Sequence, residues 1–219
     1  MRLVLLGAPG SGKGTQAKLL ASEFGLLHVA PGDIFRSEIR AGTELGRLVE
    51  GILARGELVD DETCIRVIDT RLVSEEAKQG FVLDGFPRTI GQAEALDRIL
   101  SGRGESLDLA VALEVDEDAI LRRALSRRVC SRCGKPYNLA MQPPKVAGKC
   151  DDCGGDLVTR KDDQESTVKE RLAVYREFTE PLTSYYAEKG ILESVSGEGE
   201  VNEVFLRIKE ALRKRNLLE

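Results

Sequence analysis

The stretch that most constrains this chain is its beginning. Leu3 to Leu6 is an unbroken apolar run, followed by Gly7-Ala-Pro-Gly10-Ser11-Gly12-Lys13-Gly14-Thr15 and a helix-forming segment, Thr15 to Phe24. An apolar run without alternation predicts a strand buried on both faces. Strand, glycine-rich turn and helix N-terminus in that order make a phosphate cradle. The glycines let backbone N–H groups converge, and the helix end adds unsatisfied donors and a positive dipole. Lys13 supplies a mobile positive charge and Thr15 a hydroxyl that can reach a magnesium ion. The spacing Gly7-x4-Gly12-Lys13 fits the P-loop, with Gly14 set between the lysine and Thr15. The expected ligand is a nucleoside triphosphate.

The rest of the chain limits the setting. Its 219 residues suffice for one α/β domain with insertions. No apolar stretch approaches the roughly 20 residues of a membrane span, and Gly7, Pro9 and Gly10 interrupt the start too early for an export signal. A net charge of −5 gives no basic field for nucleic acid or membranes, so any anion site must come from local arginines. Four of the five cysteines fall between Cys130 and Cys153, which favours a metal over disulfides and a cytoplasmic location.

Further strands are expected at Leu26–Val29, Phe81–Asp84, Leu109–Val115 and Ile191–Val195, each followed by a helical segment. Pro31-Gly-Asp33 breaks the strand, and a helix is expected from Ile34 to Arg40. Another helix runs from Thr43 to Arg55, and acids at Asp60, Asp61 and Glu62 open the next. Cys64 on that helix reads as a small core residue and His28 as a strand histidine. Five buried strands alternating with helices predict a three-layer P-loop fold around a parallel sheet, with ligands beyond the strand C-termini. Asp84 ends a strand there, where a P-loop fold needs a carboxylate near magnesium, and Arg88 offers a fork of donors beyond Gly85. Thr89-Ile-Gly-Gln92 matches a capping box, so Gln92 is open to two readings, cap or ligand contact. A helix is expected from Glu117 to Arg128, with Arg123 and Arg127 four apart on one face and Arg122 and Arg128 solvated. A long helix from about Glu165 carries Val168, Leu172, Tyr175 and Phe178 on its apolar side and is kinked by Pro181. A helix from Val201 to Arg215 closes the chain.

Cys130-x2-Cys133 and Cys150-x2-Cys153 match two zinc knuckles separated by a loop-like stretch. Four thiolates leave the metal no open position, so its role is structural. The surplus of arginines exceeds what one triphosphate requires. It suits an acceptor that is itself a phosphate, for which Arg36 and Arg88 form a clamp. Such an acceptor is already largely dianionic at neutral pH and needs no protein base. Catalysis then rests on positioning and charge stabilisation in a closed site.

Gly7-Ala-Pro-Gly-Ser-Gly-Lys-Gly-Thr15, Gly32-Asp-x-x-Arg36, Leu83-Asp-Gly-Phe-Pro-Arg-Thr89 and Thr159-Arg-Lys-Asp-Asp163 together resemble bacterial adenylate kinases of the long-lid, zinc-binding type. The resemblance spans essentially the whole chain. It implies reversible phosphoryl transfer, Mg-ATP plus AMP giving two ADP, by a cytoplasmic monomer that engages neither nucleic acid nor membrane. It also implies a core at 1–29, 60–125 and 164–219, a helical nucleotide-binding insert at 30–59 and a zinc-binding lid at 126–163. By position, Gly10, Ser11, Gly12, Lys13, Gly14 and Thr15 would wrap the ATP phosphates, with Arg123 and Arg127 holding them from the lid side. Pro136, Tyr137 and Gly199 would border the ATP adenine. Arg36, Arg88, Arg160 and Arg171 would grip AMP phosphate or the transferring group. Pro31, Glu57, Leu58, Val59, Gly85 and Gln92 would form the AMP base pocket. Thr15 and Asp84 would serve magnesium, Asp162 and Asp163 would steer the arginines, and the four cysteines would hold structural zinc.

Two positions depart from the family pattern. Pro31 stands where a threonine is usual and brings neither hydroxyl nor N–H; Asn138 follows Tyr137 where a histidine is common. Pro31 favours a UMP/CMP-type kinase of the same fold as the alternative, against which stand Gln92 and the long lid. A zinc-ribbon module binding nucleic acid or protein, with the P-loop as a switch, would require a basic, aromatic-rich surface around the knuckles. Acids interleave the cations there, and Tyr137 is the sole aromatic.

Overall fold

The structure, a computed structural model, describes residues 1–218, and for Lys161 the backbone only. Glu219, which the resemblance assigns to the core, lies outside the described residues. Five strands form a wholly parallel sheet: β1 (Arg2–Leu6), β2 (Leu27–Val29), β3 (Phe81–Asp84), β4 (Leu109–Glu114) and a last strand, Leu192–Ser196. From β2 the spatial order runs through β3, β1 and β4 to that last strand. After β1 the chain builds β2 and β3 on one side of it and then crosses from β3 to β4 on the other. The crevice beyond the end of β1 is therefore the switch point at which such sheets bind ligands.

The unalternating sequence of β1 has a direct cause. Val4 and Leu6 enter one core layer with Phe81, Leu83, Ala110 and Ala112, whereas Leu3 and Leu5 enter the other with Val82, Leu109 and Val111. Successive side chains of a strand point to opposite faces, and here both faces are covered. The helix α1 (Lys13–Phe24) covers the second face. The first carries α2 (Pro31–Ala41), α3 (Glu44–Arg55), α4 (Asp61–Leu72) and α5 (Ile90–Ser101). After β4 come α6 (Glu117–Leu125) and a three-stranded antiparallel sheet of β5 (Arg127–Cys130), β6 (Pro136–Asn138) and β7 (Leu157–Val158), with β5 central. The chain ends with α7 (Glu165–Val174), α8 (Leu182–Glu188), the last parallel strand as β8 (Leu192–Ser196), and α9 (Val201–Lys214). Among the described residues no helix is long and apolar enough to cross a membrane.

Four local expectations are corrected. The strand does end before Pro31, but the helix does not wait for Ile34: Pro31 is the first residue of α2. Its missing N–H is one of the unpaired donors of a helix start in any case. The helix expected to reach Arg128 ends at Leu125, because the backbone from Arg127 pairs with β6 on one side and, from Val129, with β7 on the other. Arg123 and Arg127 thus do not share a helix face. The stretch between the cysteine pairs is not all loop, since it contains β6. Finally, Phe178 is 43 % exposed instead of packing on an apolar face. Between Val174 and Pro181 the helix widens into a π-turn, with Glu180 N–H donating to the Tyr175 carbonyl at 2.9 Å, and the widening rotates Phe178 outward.

Candidate active site

The turn after β1 is shaped by its glycines. Gly7 has φ +140°, and a Cβ there would lie 2.7 Å from the Leu113 carbonyl oxygen, so only glycine lets the loop leave the sheet this close to β4. Gly12 precedes α1 in the left-handed region at φ +100°. Lys13 folds back over the loop and donates to the carbonyls of Gly7 at 2.6 Å and Ala8 at 2.9 Å. Burial pushes the Lys13 ammonium down to about 7, against the pull of Asp84. A Cβ on Gly14 would come within 3.0 Å of Asp84 Oδ2, so the missing side chain is what lets that carboxylate stand beside the start of α1. His28 Nε2 lies 3.6 Å from the same oxygen, behind the strand ends.

One cavity of about 740 Å³ opens above this loop. Gly10, Ser11, Gly12, Lys13, Gly14, Thr15 and Asp84 form its floor. Arg36, Leu58, Gly85, Arg88, Arg123, Arg127, Arg160 and Arg171 line its walls, and Pro136, Tyr137 and Gly199 complete the rim. Arg127 reaches it from a strand and Arg123 from a helix, so they converge by a route other than the one expected. A smaller apolar pocket adjoins, lined by Pro31, Phe35, Leu58, Val59, Gly85 and Gln92, with Cys64 in its wall. Of the residues assigned from sequence, Glu57 lines neither space; its carboxylate is turned outward onto Arg55 at 2.7–2.8 Å.

The cations are held by carboxylates and by the loop itself. Arg36 pairs with Asp33 at 2.6 Å, and Arg160 and Arg171 both meet Asp162, at 3.0 and 3.1 Å. Arg127 grips Asp163 with two donors. Arg123 donates to the Gly197 carbonyl at 2.9 Å and Arg88 to that of Gly85 at 2.8 Å. Burial and the neighbouring guanidiniums pull Arg160 down to about 9, and burial together with Arg127 and Arg88 pulls Arg171 down to about 10. Burial opposes ionisation of Asp162, yet Arg160 and Arg171 outweigh it and hold this carboxyl at about 2. So many crowded positive charges form a polyanion site: bound phosphates would relieve the repulsion that depresses them.

Gln92 proves to serve both as cap partner and as pocket wall. Its N–H donates to Thr89 Oγ1 at 3.1 Å, its Oε1 accepts from Arg88 N–H at 2.7 Å and its Nε2 donates to Asp61 at 2.8 Å. Several supports were not visible in the sequence. Asp61 is 31 residues from Gln92. Thr179 donates to the Arg88 carbonyl at 2.9 Å across 91 residues. Asn138, read only as a departure, donates to the Arg123 carbonyl at 3.2 Å. No spacing rule links such pairs.

The four knuckle cysteines bring their sulfurs within 4.8 Å of one another, with Cys130–Cys153 at 3.4 Å and Cys133–Cys150 at 3.6 Å. Thiolates around a tetrahedral ion with metal–sulfur bonds of about 2.3 Å lie roughly 3.8 Å apart, so the cluster fits such an ion. Gly155, unnoticed in the sequence, leaves the space: its Cβ would fall 2.8 Å from Cys130 Sγ. Among the described residues, Tyr137 and Leu157 complete the apolar cluster around the sulfurs.

Comparison with known proteins agrees with this geometry. The family model described as adenylate kinase matches residues 5–191. The adenylate kinase of Thermodesulfovibrio yellowstonii is 50 % identical over 215 residues, covering 98 % of this chain and 100 % of that one. Those of Clostridium botulinum (strain Hall) and Moorella thermoacetica are 49 % and 50 % identical over 212 residues, covering 97 % of this chain and 98 % of each relative.

Proposed function

The chain belongs to the adenylate kinase family, and from that premise we propose that it catalyses the reversible transfer of a phosphoryl group from Mg-ATP to AMP, giving two ADP. The observation that carries the reading is the union of two spaces. A P-loop cavity ringed by cations opens beside a small apolar pocket that ends in a buried amide, which suits two phosphorylated ligands meeting phosphate to phosphate. Identity near 50 % to adenylate kinases along the whole chain favours AMP over a pyrimidine acceptor despite Pro31.

In this mechanism Gly10 to Thr15 wrap the donor phosphates with backbone N–H groups, and Lys13 exchanges its loop carbonyls for phosphate oxygens. Arg123 and Arg127 hold the donor from the lid side. Arg36 and Arg88 orient the acceptor phosphate, and Arg160 and Arg171 gather charge on the group in flight. No protein base takes a proton, since the acceptor phosphate arrives largely as the dianion. What the residues supply is alignment and preorganised positive charge in a site from which water is excluded. Magnesium, bound with ATP, neutralises phosphate charge; Thr15 and the carboxylate of Asp84 are the groups fit to hold it and its waters. Pro136, Tyr137 and Gly199 flank the donor base, and Pro31, Leu58, Val59, Gly85 and Gln92 the acceptor base.

The same reading divides the chain into a core (1–29, 60–125 and 164–219), an acceptor-side insert (30–59) and a lid (126–163). In the lid Cys130, Cys133, Cys150 and Cys153 bind structural zinc in place of an apolar core. A monomeric enzyme is part of the same reading, and the family membership supports a cytoplasmic one. A coupled assay with Mg-ATP and AMP, CMP, UMP or GMP tests the function. AMP is expected to be the strongly preferred acceptor; a preference for CMP or UMP would retain the clamp and overturn the assignment.

A further inference from the structure

We infer that Asp61, which lines neither cavity, is a positioning residue for acceptor selectivity: together with the Arg88 N–H it locks the Gln92 amide in one orientation, so that the acceptor pocket takes amino bases and refuses their oxo counterparts. The inference rests on the reading of Gln92 as the group that meets the acceptor base.

A side-chain amide can turn over about its last torsion, exchanging donor and acceptor ends, and its two orientations differ only in their partners. Here the partners decide. The backbone N–H of Arg88 can only donate, and it faces Gln92 Oε1 at 2.7 Å. The carboxylate of Asp61 accepts, and Gln92 Nε2 faces its Oδ1 at 2.8 Å. Turning the amide over would set NH2 against N–H and oxygen against carboxylate. Asp61 is itself held, since its Oδ2 accepts from Thr89 Oγ1 at 2.9 Å while that hydroxyl caps Gln92 N–H at 3.1 Å. Gln92 is 1 % exposed, so water cannot substitute for a lost partner at low cost.

An amide carries two acceptor lone pairs and two N–H hydrogens. Arg88 and Asp61 use one of each, which leaves one acceptor and one donor in a fixed arrangement. Adenine and cytosine offer the complement, an exocyclic amine beside an unprotonated ring nitrogen. Hypoxanthine and uracil present a carbonyl beside a ring N–H at the same places and could pair only with the amide reversed. The pocket's other side chains are Phe35, Leu53, Leu58, Val59, Cys64 and Phe86, with Arg88 tied back to the Gly85 carbonyl at 2.8 Å, and Pro31 adds neither hydroxyl nor N–H. Discrimination at that edge of the base therefore falls to Gln92, and its orientation to Asp61.

The test compares kcat/KM for AMP and IMP, which differ only at this edge, under saturating Mg-ATP. The wild type is expected to prefer AMP by about 10⁴-fold, the scale on which sites built to hydrogen-bond reject a substrate that leaves their polar groups unpaired. Asp61→Ala lowers that ratio by about tenfold or more and leaves the KM for ATP unchanged. Asp61→Ser, polar but too short to reach Nε2, carries the same expectation if the alanine variant does not fold. Asp61→Asn, which can still turn an oxygen to Nε2, retains most of the ratio. Asp60→Ala is the control: it removes the cap of α4, which accepts from Thr63 N–H at 2.8 Å, and lowers the melting temperature without changing the ratio. An unchanged ratio in folded Asp61→Ala or Asp61→Ser, or an equal loss in Asp60→Ala, overturns the role of Asp61. An unchanged ratio in Gln92→Leu instead overturns the base-reading role on which the inference rests.

Discussion

Arg127 and Asp163 join the two ends of the segment that carries the four knuckle cysteines. Arg127 opens β5, Asp163 closes the turn after β7, and across 36 residues the guanidinium grips the carboxylate with two donors, Nε to Oδ2 at 2.8 Å and Nη2 to Oδ1. Arg171, from α7, reaches the same carboxylate at 3.5 Å. Asp163 is 1 % exposed, so it is a buried anion that aims two site arginines at once.

Asp163→Ala should leave both guanidiniums without their common anchor. Misplacing catalytic groups by about 1 Å costs on the order of a hundredfold in rate, and kcat is expected to fall on that scale. The melting temperature should fall too, by an amount corresponding to at most about 3 kcal/mol, because both arginines keep some contact with water. Asp163→Asn, retaining one acceptor, should fall between. Steady-state kinetics with a thermal melt decides it: an unchanged kcat would mean that the phosphates alone align these arginines.

The convergence of Arg123, Arg127, Arg160 and Arg171 shows where sequence reading works and where it stops. Local chemistry was legible: the strand and glycine loop around Lys13, the carboxylate at the end of β3, and the cysteine knuckles each depend on residues close in the chain. The route of Arg127 into the cleft was not, because it depends on β5 pairing with strands that begin 9 and 30 residues after it. Pro31 misleads for a related reason: the same ring that ends a strand also starts a helix, and only the following backbone decides. Asp61 and Thr179 carry no signal at all, since their partners lie 28 to 91 residues away.

Lys13 makes nucleotide binding a proton-linked event. Burial holds its ammonium near 7 in the unliganded protein, against an ordinary value of 10.5. Between those values the unfolded chain retains a proton that the folded one has released, so at this site folding gains stability as pH rises through about 7 to 10.5. A bound triphosphate restores the charge. Near pH 8, ATP binding should take up close to one proton, read by calorimetry in two buffers of different ionisation heat. The uptake should vanish in Lys13→Met, and no uptake in the wild type would contradict the depressed value.

The lid should depend on its metal more than the core does. Its apolar cluster consists of Cys130, Tyr137 and Cys150 with Cys153 and Leu157, too little to hold three short strands unaided. Purified protein is expected to carry one zinc per chain. Chelation, with magnesium then restored, should lower the melting temperature and kcat, while Mg-ATP still binds to the loop at Gly10 to Thr15. A metal-free protein of equal stability and activity would refute the structural role.

Two glycines of one helix make opposite predictions. Gly46 of α3 is buried where α3 crosses α2, and a Cβ there would lie 2.3 Å from the Glu38 carbonyl oxygen and 2.4 Å from its carbon. Backbone cannot yield as a side chain does, so Gly46→Ala must part the helices, an overpacking cost of about 1–3 kcal/mol. Because α2 carries Arg36 and α3 leads to Leu58, the damage should reach the acceptor side and raise the KM for AMP, leaving that for ATP alone. Gly51, exposed on the same helix, meets only the Arg55 guanidinium at 3.3 Å. There alanine removes the entropic cost of a helical glycine, and Gly51→Ala should stabilise by up to about 1 kcal/mol. At this chain length each kcal/mol moves the melting temperature by about 2–4 °C, so the two variants should separate clearly in one thermal scan. A shift in the same direction for both would show that helix propensity governs this insert and that the contact of Gly46 with Glu38 does not.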